Sequence, residues 1–220
     1  MYPSYQIENK VFIFENTIDS KIIDKILELT KIQIEKSDYK IRINAITNSG
    51  KISFNKNINQ LNDSEKNIYK DLLLNSNVLL HENYIDVENN NELREIIDPI
   101  IFNYINFLYK ENNINIRPKE GNVLFYKHEH SMKIHRDGGG LDNLRVCTST
   151  LYLNEKFENA EGGDVIFYND EKEIIYKYTP KKGDIIIFDS FNNQSENSIL
   201  HSVTKVKNWD RYVYRTYWQK

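Results

Sequence analysis

At 220 residues the chain is long enough to bury one sizeable core, and 40% hydrophobic with 28% charged residues is an ordinary balance for a soluble globular protein. A formal net charge of −3 and a pI near 6.0 give no support to wholesale binding of nucleic acid, and no apolar run resembles a signal peptide or is long enough to span a bilayer. Cys147 is the single cysteine, which excludes an internal disulfide and a cysteine-rich zinc site.

In chain order, residues 10–16 (KVFIFEN) read as a short strand. Residues 17–36 place Ile18, Ile22, Ile23, Ile26, Leu27 and Leu29 close to helical spacing, with Asn16 or Thr17 as the cap. Residues 37–60 are polar and carry the turn signals NSG and NKN, so they read as a loop or irregular hairpin. A second, shorter helix is predicted over 63–76 and a third over 91–110, where Pro99 either kinks the helix or marks its first turn. After residue 115 the texture changes to short runs rich in β-branched and aromatic residues. The segments 148–154, 162–169, 173–179, 183–190, 200–206 and 211–218 all read as strands. Many short strands at close spacing predict a sandwich or barrel. The expectation is a soluble, intracellular α+β protein with one domain over 1–220, in which 1–115 is mainly helical support and 116–220 is a β core carrying the site.

The stretch KIHRDGGG (133–140) sets His135 and Asp137 two residues apart before a run of glycines. On a strand, positions i and i+2 share a face, so an imidazole and a carboxylate converge there. Alone, such a pair is also what a solvated strand end looks like. Downstream stands His201, and ten residues later Arg211 opens a strongly patterned strand. A second histidine completes a two-histidine, one-carboxylate set, which suits non-haem Fe(II) and leaves coordination positions open. A basic residue opposite the metal can hold the far carboxylate of a chelating co-substrate through a charge-assisted fork.

This order and spacing resembles the Fe(II)/2-oxoglutarate dioxygenases, in particular their prolyl 4-hydroxylase-like branch. The flanking stretches TSTLYLNEKFENAEGGDVIFYN, PKKGDIIIFDS and HSVTKVKNWDRYVYRTYW are similar to that branch as well, so the resemblance covers 118–220 in detail and 10–36 more loosely. It implies a double-stranded β-helix (jelly-roll) core with N-terminal supporting helices. It implies that His135, Asp137 and His201 ligate Fe(II), and that Arg211 binds the C5 carboxylate of 2-oxoglutarate. Tyr152 matches a tyrosine that helps hold that carboxylate, Tyr126 matches one that lines the pocket, and Thr148, sharing the parity of Tyr152, is expected to face the same interior. Met132 stands where many members carry a second tyrosine. The implied activity is hydroxylation of a side chain, a prolyl residue of a protein or peptide, with release of succinate and carbon dioxide and with L-ascorbate as a further cofactor. The alternatives are a 2-oxoglutarate oxygenase acting on a free amino acid, a small molecule or an alkylated base, and a jelly-roll binding module without turnover.

Alternation along RYVYRTYW puts Arg215 and Tyr217 on the same face as Arg211, so both are candidate substrate residues. Arg145, at the edge of the expected pocket, is a third candidate, with a plain surface charge as the other reading. His128 and His130 form another i, i+2 pair but lack acidic partners at matching spacings, which favours a charge-patterned loop. Gly162 and Gly163 read as turn residues before a strand, and Cys147 as a small packed side chain. Residues 138–143 and 37–60 are expected to flank the site as loops that order when substrate binds.

Overall fold

The computed structural model describes residues 2–36, 39–47, 50–74, 78–86, 91–110, 115–137, 144–190 and 198–220. In chain order the elements are β1 (Tyr5–Ile7), β2 (Val11–Phe14), α1 (Ser20–Glu35), β3 (Lys40–Thr47), β4 (Gly50–Asn57), α2 (Asp63–Leu74), β5 (Val78–Asp86) and α3 (Asn91–Tyr109). There follow β6 (Arg117–Tyr126), β7 (Met132–His135), β8 (Arg145–Tyr152), β9 (Val165–Tyr168), β10 (Ile174–Tyr178), β11 (Ile185–Asp189), β12 (Leu200–Val203) and β13 (Arg211–Gln219). The strands pair antiparallel in the order β1-β2-β11-β8-β13-β6-β5-β7-β12-β9-β10, with β3 on β5 and β4 on β3. A single residue pair, Leu80 with Met132, joins the long first run to the shorter run β7-β12-β9-β10. The expected double-stranded β-helix core is therefore present.

Strand alternation explains the layering. On one face of the long run, Ile185 and Ile187 of β11, Leu151 of β8, Tyr212, Tyr214 and Trp218 of β13 and Val123 and Phe125 of β6 are buried against Ile23 and Ile26 of α1 and Leu93, Ile97, Ile101 and Ile105 of α3. The opposite parity gives the second face. There Val11 and Ile13 of β2, Tyr152 of β8, Ile186 and Phe188 of β11 and Val213 of β13 pack with Val165 and Phe167 of β9 and Tyr178 of β10. The central strands are thus covered on both sides, one by helices and the other by the short run, and the site lies between the two runs.

Several expectations over the first half are corrected. Of the two readings for this stretch, loop or irregular hairpin, the pairing of residues 40–47 with 50–57 in unbroken antiparallel register replaces the loop, and β3 also pairs with β5, a strand not expected from the sequence. Ile41 and Ile43 are fully buried, and Ile52 and Phe54 pack on the core, so a period-two pattern lies beneath the turn residues. The cap of α1 is Asp19, whose side chain accepts from the Lys21 N–H at 2.7 Å. Asn16 and Thr17 are engaged elsewhere. The Thr17 hydroxyl donates to the Gly183 carbonyl at 2.7 Å and the Asn16 N–H donates to Asp184 at 3.1 Å, so the chain enters the helix two residues later. Helix α3 runs through Pro99, with its buried stripe on Leu93, Ile97, Ile101, Tyr104 and Ile105. Pro99 is exposed, and the helix starts at Asn91 rather than at the proline. The expected loop over 138–143 lies outside the described residues.

Candidate metal centre and its cavity

Register brings the two histidines together: His201 of β12 pairs directly with His135 of β7, and their ring centroids are 4.2 Å apart. Each ring places Nδ1 on a backbone carbonyl two residues back, His135 on Lys133 at 2.8 Å and His201 on Ile199 at 3.2 Å. With the proton on Nδ1 donating to those carbonyls, both Nε2 lone pairs face the same point. Asp137 follows just beyond the end of β7. Its Oδ1 lies 3.4 Å from His135 Nε2 and 3.9 Å from His201 Nε2. All three ligand atoms lie within 4.8 Å of one another, and among the described residues this is the cluster able to hold a metal ion. The donor set fits a divalent metal on one face: two neutral imidazoles and one carboxylate.

Neighbouring groups fix the carboxylate. The Thr148 hydroxyl donates to Asp137 Oδ2 at 2.8 Å, and the Ser190 hydroxyl lies 3.1 Å from Thr148. Arg136, between the two ligands, binds the Ser198 carbonyl and reaches Asp170 at 2.6 Å, which ties down the end of β7. Burial opposes charge on Asp137, but its neighbours His135, His201 and Arg215 outweigh it and hold the carboxyl well below its usual range. Burial, then the neighbouring His135, pushes the His201 imidazole down to about 4. A deprotonated carboxylate and a neutral imidazole are the states a metal requires.

The cavity beside these three residues is also lined by Leu124, Tyr126, Met132, Thr150, Tyr152, Arg211 and Arg215. Arg211 is 3% exposed, with its guanidinium 4.8 Å from the Tyr126 ring and 5.2 Å from the Tyr152 ring. Among the described residues no carboxylate pairs with it, and its Nε has no hydrogen-bond partner. A buried cation without a counter-ion is costly, and a bound dicarboxylate would supply one. Two glycines let the chain deliver this arginine. A Cβ on Gly163 would stand 2.4 Å from the Trp209 ring and 3.1 Å from Arg211 Cδ, and one on Gly162 would stand 1.7 Å from the Lys205 carbonyl oxygen. Gly162 and Gly163 sit at φ +68° and +74°, so both close approach and conformation require glycine.

Of the residues singled out from sequence, the structure gathers His135, Asp137, His201, Tyr126, Tyr152, Arg211 and Arg215 around one cavity. Thr148 is different: its hydroxyl serves Asp137 rather than the space beside Tyr152, and Thr150 occupies that wall instead. Tyr217 lies next to Arg215, and Arg145 stacks on Tyr217, both outside the cavity wall. His128 is exposed beside Glu129, and neither it nor His130 joins the ligand cluster. The sequence reading missed Thr150 and Ser190. Parity with Tyr152 would have found Thr150, whereas nothing local marks Ser190, whose contact spans 42 residues.

A family model described as the 2OG-Fe(II) oxygenase superfamily matches residues 104–219. No curated protein sequence matches. Among solved structures, the fold is similar to the viral collagen prolyl hydroxylase of Paramecium bursaria Chlorella virus-1 in its 2OG complex, at 17% identity and a TM-score of 0.59, covering 96% of each chain. It is similar to a Trichoplax adhaerens prolyl hydroxylase in complex with a hypoxia inducible factor peptide fragment, at 14% identity and a TM-score of 0.61, covering 96% of this chain and 84% of that one. It is also similar to a non-heme alpha ketoglutarate dependent epimerase from nogalamycin biosynthesis, at 9% identity and a TM-score of 0.62, covering 96% of this chain and 76% of that one.

Proposed function

The chain belongs to the 2OG-Fe(II) oxygenase superfamily, and from that premise we propose that it hydroxylates a prolyl side chain of a protein or peptide, working as one domain over its 220 residues. Iron(II) with 2-oxoglutarate and dioxygen supplies the oxidising chemistry, in which the co-substrate leaves as succinate and carbon dioxide, with L-ascorbate as a supporting reductant. His135, Asp137 and His201 hold the metal. Thr148 keeps the Asp137 carboxylate aimed at it. Arg211 binds the distal carboxylate of 2-oxoglutarate, with Tyr152 and Tyr126 as the flanking walls. Val165, Phe167, Ile186 and Phe188 add apolar lining that excludes water from the cavity.

The observation that carries this reading is Arg211, a buried cation with no carboxylate partner among the described residues, on the same cavity as a two-histidine, one-carboxylate cluster. The peptidyl substrate is supported by the Trichoplax protein, whose structure holds a peptide fragment. The test is succinate release by purified protein supplied with iron(II), 2-oxoglutarate and ascorbate, first alone and then with proline-containing peptides. Peptide-stimulated release and a mass gain of one oxygen on proline are expected. No stimulation by any peptide would move the reading to a free amino acid or another small molecule.

A further inference from the structure

Beyond the co-substrate, β13 carries a second feature on its interior face. Arg211, Val213, Arg215 and Tyr217 follow one another at period two, and all four are buried. Arg211 and Arg215 are four residues apart, about 13 Å along a strand, so one dicarboxylate anchored at Arg211 does not also occupy Arg215. Arg215 lines the cavity near the ligand cluster, and its charge acts on both Asp137 and His201. Its Nη2 is 3.5 Å from the Asn122 side-chain oxygen across the β13–β6 pair.

The next same-face residue, Tyr217, lies between two cations. The Arg215 guanidinium carbon is 4.8 Å from its ring centroid and that of Arg145 is 3.6 Å from it. Register explains the sandwich: Arg215 precedes Tyr217 by one same-face step, and Arg145 of β8 pairs with Gln219, one step beyond it. Arg145 Nε is buried without a hydrogen-bond partner, and among the described residues no carboxylate forms an ion pair with Arg145. Two like charges stacked about one half-polar ring repel, and an anion that reaches both guanidinium groups along the edge of that ring relieves the repulsion. Planar guanidinium groups held in fixed orientation suit a carboxylate, which takes two parallel N–H bonds.

We propose that the substrate is anionic, and that Arg215 and Arg145, set about Tyr217, bind a carboxylate close to the carbon that is hydroxylated. This rests on the oxygenase reading above. The carboxylate has two possible sources, an acidic residue beside the target in a peptide or the free carboxylate of an amino acid. The protein is first loaded with Mn(II) and 2-oxoglutarate and its uptake of both followed by calorimetry. Loaded protein is then titrated with proline peptides flanked by glutamate or by glutamine, and with L-proline or its amide. Binding of an acidic member at least about tenfold tighter than its neutral twin is expected, and the pair that shows it identifies the source. R145Q should shrink that ratio, and R145K should recover part of it, because charge is kept while the fork is lost. Failure to take up Mn(II) and 2-oxoglutarate overturns the oxygenase reading and this inference with it. Uptake of both with equal responses across each pair, including none to any member, overturns this inference alone. So does a preference undiminished in R145Q and in the R145Q, R215Q double variant.

Discussion

Replacing Arg211 with methionine separates the functional from the structural role of a buried charge. Methionine keeps an unbranched stem to pack beside Gly163 and between Tyr126 and Tyr152, and removes the guanidinium. In the oxygenase reading the variant leaves one end of 2-oxoglutarate unpaired inside the cavity, a loss of about 2–5 kcal/mol. That corresponds to roughly 30-fold to several thousand-fold weaker binding. Without co-substrate the balance reverses. At 3% exposure, with no counter-ion among the described residues, Arg211 bears a desolvation penalty that no ion pair offsets. The apo variant is therefore expected to melt no lower than wild type, and each kcal/mol regained should appear as about 2–4 °C in Tm. Calorimetry on Mn(II)-loaded protein gives the affinity, differential scanning fluorimetry gives Tm, and Mn(II) uptake reports whether the ligand cluster survives. A variant that melts well below wild type and binds 2-oxoglutarate as tightly would refute the reasoning and make Arg211 a packing residue.

His135→Ala, Asp137→Ala and His201→Ala are each expected to remove single-site Mn(II) binding and all turnover, and a His201→Ala protein that binds and turns over normally would displace the ligand assignment. Thr148→Val takes the donor from Asp137 Oδ2 with little change in volume, so metal affinity should fall about 10- to 100-fold; unchanged affinity would mean the carboxylate is held by its backbone. In the metal-free protein the His201 pKa is pushed from 6.5 down to about 4. The unfolded chain then takes up a proton at this histidine as pH falls through 6.5 while the folded chain does not until about 4. Apo stability should decline across that window, by about 3 kcal/mol at most. Urea midpoints measured across it check this, and a decline of the same size in His201→Gln would assign it to other groups.

Much of the site was legible because its residues lie on regular strands or their ends. The His135, Asp137, His201 and Arg211 order is a chain-order pattern, and alternation along β13 was enough to place Arg215 on the pocket side. What was lost depended on contacts distant in sequence. Parity gave the face of Thr148 but not its target, because Asp137 sits past the end of β7 on another strand's loop. The Gly162–Gly163 pair read as a turn, yet its function is close approach to Lys205, Trp209 and Arg211. The regular strands over 40–47 and 50–57 read only as a loop or irregular hairpin because turn residues and charges outweigh the few buried positions, Ile41 and Ile43 among them. The cap of α1 was displaced by the bond from Thr17 to Gly183, 166 residues away.

Strand β13 shows how function and fold share one pattern. A strand covered on both faces is expected to be a nearly continuous apolar run. Here the helix-side residues Tyr212, Tyr214 and Trp218 are large and apolar with polar tips, and those tips are satisfied: Tyr214 donates to Asp98 and Trp218 to Ser149. The other face carries Arg211 and Arg215. A slip of one residue against β6 and β8 would turn both guanidinium groups toward Ile97 and Ile101 and move the aromatic rings into the cavity. Burying two charges in that apolar layer would cost several kcal/mol each, comparable to the whole stability of an ordinary domain. The arginines that face the cavity therefore also forbid the alternative register. A substitution at either one is expected to change ligand binding and to weaken the specification of this strand's register.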